Sequence, residues 1–587
     1  MKNHPLPTKI QKYNTYPFDP TGNPAVDTPA WESLVSAVNT YTPTGKSSEI
    51  VIRDNGQSMV VDTANSAADG SPGTSEFLKG CWVRGETKNA RIQYNNGYII
   101  NWGRYGNPIR LTDAYSWFTR GTIAAMPAFT SRLLSSSITL AKGDYVLVWS
   151  DDNISGVAAH YGNSGFQRSA ELHRVNHQDG GGWVIDCDVV DPLTTNPRIC
   201  KIDMLRGCGM SDLTFGSNGV DQDATPIDSH TQASCVNVQR CHGFRAENIQ
   251  VDDTGCGGFD IQLCADSEVA GYNGVWQFNN RRNYAVTIGV CTNVVYRDSV
   301  WHNTRHMITS FGLQVADGDN TRYGTARGCK GVNLYQYISG DAIDTPFAGM
   351  DLHAESWGFE LQDCHVYNSM YYDGGAEECF AFSTRARNTR FVNCYTHSAM
   401  TQQSSGDGYY GQVHWGWRIM ANDAQLVNCH QDRGWTGVLI QPDTVNTTFI
   451  PQRTKVDKCI FENITGAALY MRSSIASNGI EMNHSTVRNC GNRHNTGGDP
   501  EWRGAAIRLI GGTGHKIRYN NLDKSVNYYS LDCNTLTEND IDFKYNSCRG
   551  YGSGKIGIRG DSGDPKGASI ASAATFNTAV AAKNSTD

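Results

Sequence analysis

Long apolar runs are missing from this sequence. No stretch approaches the roughly 18 consecutive apolar residues that a membrane-spanning helix requires, and the opening residues carry neither the basic nor the apolar region of a secretory signal. A soluble, unprocessed chain made in a cytoplasm, with no membrane partner, is the expectation. Charge is sparse too: Asp, Glu, Lys and Arg make up 18% of the residues and leave a net charge of -8. The basic residues are dispersed and form no stripe along which phosphates would lie, which argues against a nucleic-acid partner. Neither a Cys-x-x-Cys pair nor an acidic loop of calcium-ligand spacing occurs, so no metal site is expected. No cofactor is expected either.

What is plentiful is turn-forming residues. The 61 glycines, with many Asn, Ser and Thr, give a β-rich, turn-rich composition unlike that of a helical bundle. A chain of 587 residues exceeds an ordinary single domain, and a repetitive architecture reconciles its length with its core content. Repeats are indeed present: CVNVQRCHGFRAENIQV, CTNVVYRDSVWHN, CKGVNLYQYIS, FELQDCHVYNS, TRFVNCYTHSA, AQLVNCHQDRG, KCIFENITGAAL and STVRNCGN recur in order. Each reads as a short alternating strand closed by an Asn or Gly turn.

The cysteines give the spacing. Cys235, Cys264, Cys291, Cys329, Cys364, Cys394, Cys429, Cys459 and Cys490 lie 27 to 38 residues apart, which fits one solenoid coil per interval, with equivalent positions stacked in an interior ladder. The 18 cysteines, spread from Cys81 to Cys548, are therefore read as reduced, buried, small apolar residues, not as the disulfide framework of a short secreted chain. Asn and Gly tolerate the left-handed backbone that sharp corners need. Leucine-rich and propeller repeats are disfavoured because their Leu-x-x-Leu-x-Leu and Trp-Asp signatures are missing. The expected fold is all-β, a right-handed parallel β-helix.

Its organisation is read as four parts. Residues 1–45 hold an N-terminal segment and a capping helix, with Thr28 as cap, Pro29 opening the helix, and Trp31, Leu34, Val35 and Val38 recurring at helical spacing. Residues 46–200 are strand-rich but irregular, residues 201–558 form the β-helix body, and residues 559–587 are an Ala, Ser and Thr-rich tail or trimer contact.

The segment DLHAE stands out chemically. Read as an extended strand, it points Asp351, His353 and Glu355 to one face, and such a row belongs in a groove or on the outside because burying it in the core is costly. The next coil, EECFAFSTRARNTRF, places Glu377 and Glu378 in a turn and Arg385 and Arg387 on one face. Arg305 and His306 precede, Asp344 leads into DLHAE, and GYYGQVHWGWRIM adds Tyr409, Tyr410, His414, Trp415 and Trp417. Aromatic faces stack on sugar rings, guanidinium groups hold acidic substituents, and paired carboxyls cleave glycosidic bonds. Each feature has a structural alternative: a solvated face, salt-bridging arginines, or aromatics filling an interface.

The sequence also resembles a known family. GNPAVDTPAWESLVSAV is similar to the Gly-x-x-x-x-Asp-Thr opening of pectate-lyase-like β-helices, TRHMITSFG at 304–312 resembles an Arg-His-Φ-Thr-Thr stretch of bacteriophage tailspikes (Φ apolar), and DLHAE resembles their Asp-Thr-His-Glu segment. The family's Thr is Leu352 here and its Glu position holds Ala354, the acid being displaced to Glu355. The resemblance implies a homotrimeric capsular polysaccharide depolymerase in a virion tail; the stretch before residue 15 is too small for a full particle-binding domain, so either an attachment domain lies outside this sequence or another virion protein supplies the adaptor. Its partner would be a bacterial surface polysaccharide, cut by endo-glycosidic hydrolysis through Asp351 and Glu377, with Glu355 as substitute and His353 as proton partner. A polysaccharide lyase using His353 and Arg385, and a non-catalytic receptor-binding spike, are the alternatives.

Overall fold

The computed structural model describes residues 12–62, 76–96, 100–102, 111, 117–129, 132–154, 167–217, 236–252, 258–275, 284–302, 304, 306–314, 321–337, 348–367, 379–397, 414–442, 449–464, 466–471, 477–490, 505–523, 529–534, 540–549 and 558–559. They fall into two compact units: 1–155, 163–334 and 355–357 form the first, and 156–162, 335–354 and 358–587 the second. Parallel β-helix coils build both, as the repeats indicate. The strands pair in parallel with their counterparts one coil away, and such connections are right-handed.

In the first unit the coils start well before residue 201. Lys12–Phe18, Ser47–Ile52, Gly80–Gly85, Gly209–Ser217, Arg245–Asp252, Glu268–Val275 and Val295–His302 pair successively in parallel. A second parallel sheet runs through Ile100–Trp102, Val236–Gln239, Phe259–Gln262, Tyr284–Gly289 and His306–Phe311. The irregularity lies in an antiparallel sheet instead, where Tyr145–Asn153 is flanked by Gln167–Asp179 and Arg198–Ile202. It packs on the coils through Leu147, Leu172, Val290 and Leu313. The expected boundary at 201 thus merged two regular coils with an inserted sheet, because the insert separates consecutive rungs by more than a hundred residues.

The capping helix spans Pro24–Tyr41 and begins five residues earlier than expected. Asn23, not Thr28, is its cap, accepting from the Ala25 amide at 3.0 Å, and Pro24 opens it. Pro29 therefore lies inside the helix, at the loss of one backbone bond. Trp31 packs edge-on against Phe18 and Phe77, and the aromatic contacts continue through Trp102, Phe244, Phe259, Tyr272 and Trp301. Trp31 with the fully buried Val35 and Val38 covers the apolar end that an open solenoid would expose.

In the second unit each coil contributes three strands, for example Cys379–Thr384, Arg390–Val392 and Tyr395–His397. Asn393 turns the corner between the last two at φ 54, and Asp363 and Asn428 do so one coil to either side at φ 52 and 55. Their side chains form a ladder: the Asn393 amide donates to Asp363 at 2.9 Å and accepts from Asn428 at 2.8 Å. The cysteine after each corner points inward. Cys364, Cys394, Cys429, Cys459 and Cys490 are all buried and unbridged, and the thiols of Cys394 and Cys429 donate to the carbonyls of Leu361 and Phe391 one coil back. Burial pushes both thiols up, keeping them protonated. The first unit repeats the device with Cys264 and Cys291, but Cys241 takes the rung assigned to Cys235; it forms no disulfide, and its amide donates to the Cys264 sulfur at 3.4 Å. Cys235 lies outside the described residues.

Asn393→Ala should cost about 1–3 kcal/mol, the sum of the left-handed strain on a Cβ-bearing residue and lost side-chain hydrogen bonds. Asn393→Gly, which keeps the corner and loses only the ladder, should cost less. Guanidinium unfolding midpoints check the order, and equal midpoints for the two variants would contradict it.

Candidate active site

The site grows from one parallel sheet of the second unit. Strand Ala348–Leu352 pairs with Cys379–Thr384, which pairs with His414–Ile419. Met350, Phe382 and Trp417 stand in register and point into the coil, where Phe382 packs on Phe391 and Trp417 on Phe461. Strand alternation then sends Asp351, Ser383 and Arg418 to the outer face. Further rungs add Leu439, Tyr470 and Arg508 to the same row. These six residues are all buried, so the outer face carries a sheltered row, polar but for Leu439, and not a solvated surface.

Three ionisable side chains meet on its first rungs. Oδ2 of Asp351 lies 3.2 Å from Nε2 of His353 and 3.6 Å from Nη1 of Arg385. The Arg385 amide donates to the Leu352 carbonyl at 2.7 Å, which extends the strand pairing past the last ladder residues and carries the guanidinium alongside Asp351. A turn follows at once: the hydroxyl of Thr384 accepts from the Ala386 amide at 3.0 Å and pairs with Thr389 at 2.9 Å. Beside this trio, Nε of Arg418 donates to Ser383 at 3.2 Å while its guanidinium lies 3.5 Å above the Phe380 ring. That cation–π seat fixes the orientation of a long side chain.

The structure thus brings together Asp351, His353 and Arg385 and separates other expected members. The strand ends at Leu352, so 351, 353 and 355 do not form one extended row. Glu355 is fully buried and belongs to the first unit, its carbonyl accepting from Ala326. Arg387 is buried beyond the turn, so it does not share a strand face with Arg385. Trp417 points inward, stacked on Phe382 at 5.3 Å, and presents no face to a sugar; Trp415 is buried edge-on to Phe380 at 5.2 Å, the ring over which Arg418 sits. His306, in the first unit, stacks on Tyr284 at 4.8 Å. Glu377, Glu378, Asp344, Arg305, Tyr409, Tyr410 and the side chain of His414 lie outside the described residues.

Sequence reasoning missed Ser383 and Arg418. The signal was present, because Trp417 and Ile419 claim one phase of their strand and leave Arg418 on the other. Chemically, the described cluster offers one carboxylate held between an imidazole and a guanidinium. Such a carboxylate suits the role of base or nucleophile and leaves proton donation to another group.

No protein-family model and no curated protein matches the chain. Among solved structures it is similar to the tailspike protein gp49 of Pseudomonas phage LKA1, at 13% identity and a TM-score of 0.54, over 90% of this chain and 75% of that one. It is also similar to the tailspike gp61 of Pseudomonas phage phi297, at 13% identity and a TM-score of 0.50, over 91% of this chain and 73% of that one. At such identity the likeness is one of fold.

Proposed function

We propose that this chain works as a tailspike, binding a bacterial surface polysaccharide (capsule or O-antigen) along the outer polar row and cutting it internally by hydrolysis. The observation that carries the reading is the meeting of Asp351, His353 and Arg385 on a sheltered outer face, on a fold shared with two phage tailspikes. Asp351 acts as the base or nucleophile, His353 relays its proton, and Arg385 with Arg418 holds acidic or hydroxylated substituents. Glu377, one coil on in the sequence, supplies the second carboxyl that hydrolysis requires. The chain works as a homotrimer in a virion tail, joined to it directly or through an adaptor.

A lyase is the second reading, favoured by the single carboxylate of the described cluster. There His353 removes the proton next to a uronate carboxyl whose charge Arg385 neutralises. Digestion in ¹⁸O-labelled water separates the two: hydrolysis places one heavy oxygen per cut at the new ends. Unsaturated ends without label would replace hydrolysis by the lyase reading.

A further inference from the structure

A second cluster of reactive groups lies in the first unit, on the inserted antiparallel sheet and away from the polar row in sequence. Among the cysteines whose side chains are described, Cys187 alone is not buried. Its sulfur accepts from Nη1 of Arg327 and lies 3.9 Å from Nδ1 of His173. Nε2 of His173 is in turn 3.2 Å from Glu171, whose other oxygen accepts the amides of Val190 and Asp191 at 2.8 and 2.9 Å. The carboxylate is thus fixed by backbone, the imidazole by the carboxylate, and the thiol sits beside the imidazole, which is the order of a nucleophile, its partner and an orienting acid.

We propose that Cys187 is a nucleophilic thiol site that exchanges with low-molecular-weight disulfides. The sulfur attacks one sulfur of R–S–S–R, a Cys187–S–S–R bond forms as the R–S–S–R bond breaks, and the Cys187 proton ends on the released R–SH. Arg327 offsets the negative charge that develops on the attacking sulfur. Its place is secured by the Leu172 carbonyl at 2.9 Å and the Thr292 hydroxyl at 3.4 Å. Burial and the Arg327 charge pull His173 down, but bonds to Asp186, Cys187 and Glu171 outweigh them and push it up to about 10; its two nitrogens lie 2.8 Å from Asp186 and 3.2 Å from Glu171. Cys187, His173 and Asp186 also converge within 4.8 Å, as metal ligands would. The guanidinium on the sulfur, 3.2 Å from the imidazole, already supplies positive charge at that point and disfavours an added cation.

The test uses the native full chain with 5,5′-dithiobis(2-nitrobenzoate) at neutral pH. A fast phase of thionitrobenzoate release is expected, about tenfold or more ahead of the buried cysteines, with the adduct mapping to Cys187 and the phase lost in Cys187→Ser. Arg327→Met, checked by thermal melting for an intact fold, should slow it by about tenfold, and Arg327→Lys should restore most of the rate. Should Arg327→Met melt early, His173→Gln provides the same comparison. Cys187 left unlabelled until the chain unfolds, equal rates in the charge-deleting variants, or stoichiometric zinc uptake lost in Cys187→Ser would each overturn the proposal.

Discussion

Asp351→Asn is expected to slow polysaccharide cleavage by about 10²- to 10⁴-fold, the range for removing a group that transfers a proton or attacks in the rate-limiting step. The substitution keeps the size of the side chain and its carbonyl oxygen, so the contacts with His353 and Arg385, 3.2 and 3.6 Å away in the wild type, lose charge more than shape. Glycan binding should therefore persist, and the melting temperature should stay within a few degrees. Initial rates of reducing-end formation, read beside the melting curve and a binding isotherm, separate the roles. A rate within a few-fold of wild type would remove Asp351 from the chemistry. An equal loss of binding would make it a sugar ligand.

Trp417→Ala is expected to do the opposite, costing about 3–5 kcal/mol of stability while leaving cleavage per folded molecule within about threefold, an order-of-magnitude expectation for a group that never reaches substrate. The indole is fully buried, stacked on Phe382 and edge-on to Phe461, and its loss opens a cavity that a β-helix coil, pinned by its neighbours on both sides, closes only in part. The guanidinium unfolding midpoint and the activity of the folded fraction report the two quantities. Activity lost at an unchanged midpoint would return Trp417 to the substrate groove.

This contrast also shows what the sequence made legible. The coil was readable because one position repeats its chemistry: a residue that tolerates left-handed φ, then an inward cysteine, as at Asn393 and Cys394 or Asn428 and Cys429. Asp351 and His353 were readable because charge amid apolar strand residues is conspicuous. Trp417 misled because a large aromatic beside polar residues suits both a core and a sugar platform, and only the phase of its strand, set by the register with Phe382, decides between them. The helix start was missed because Pro24 and Pro29 both suit a first turn, while the apolar period begins only at Trp31. Glu355 follows Asp351 at a strand-like interval, yet the strand stops at Leu352; no local propensity in Leu-His-Ala-Glu marks that stop.

The central claim is that the outer polar row cuts a polysaccharide chain. Its most direct test is size-exclusion chromatography with light scattering on the purified surface polysaccharide of a bacterium to which the protein binds, before and after incubation with wild type. The account predicts a fall in mass-average molar mass to a set of short oligosaccharides, and no fall with Asp351→Asn. Binding that persists for hours while the molar mass stays unchanged would contradict it and leave a receptor-binding spike without chemistry.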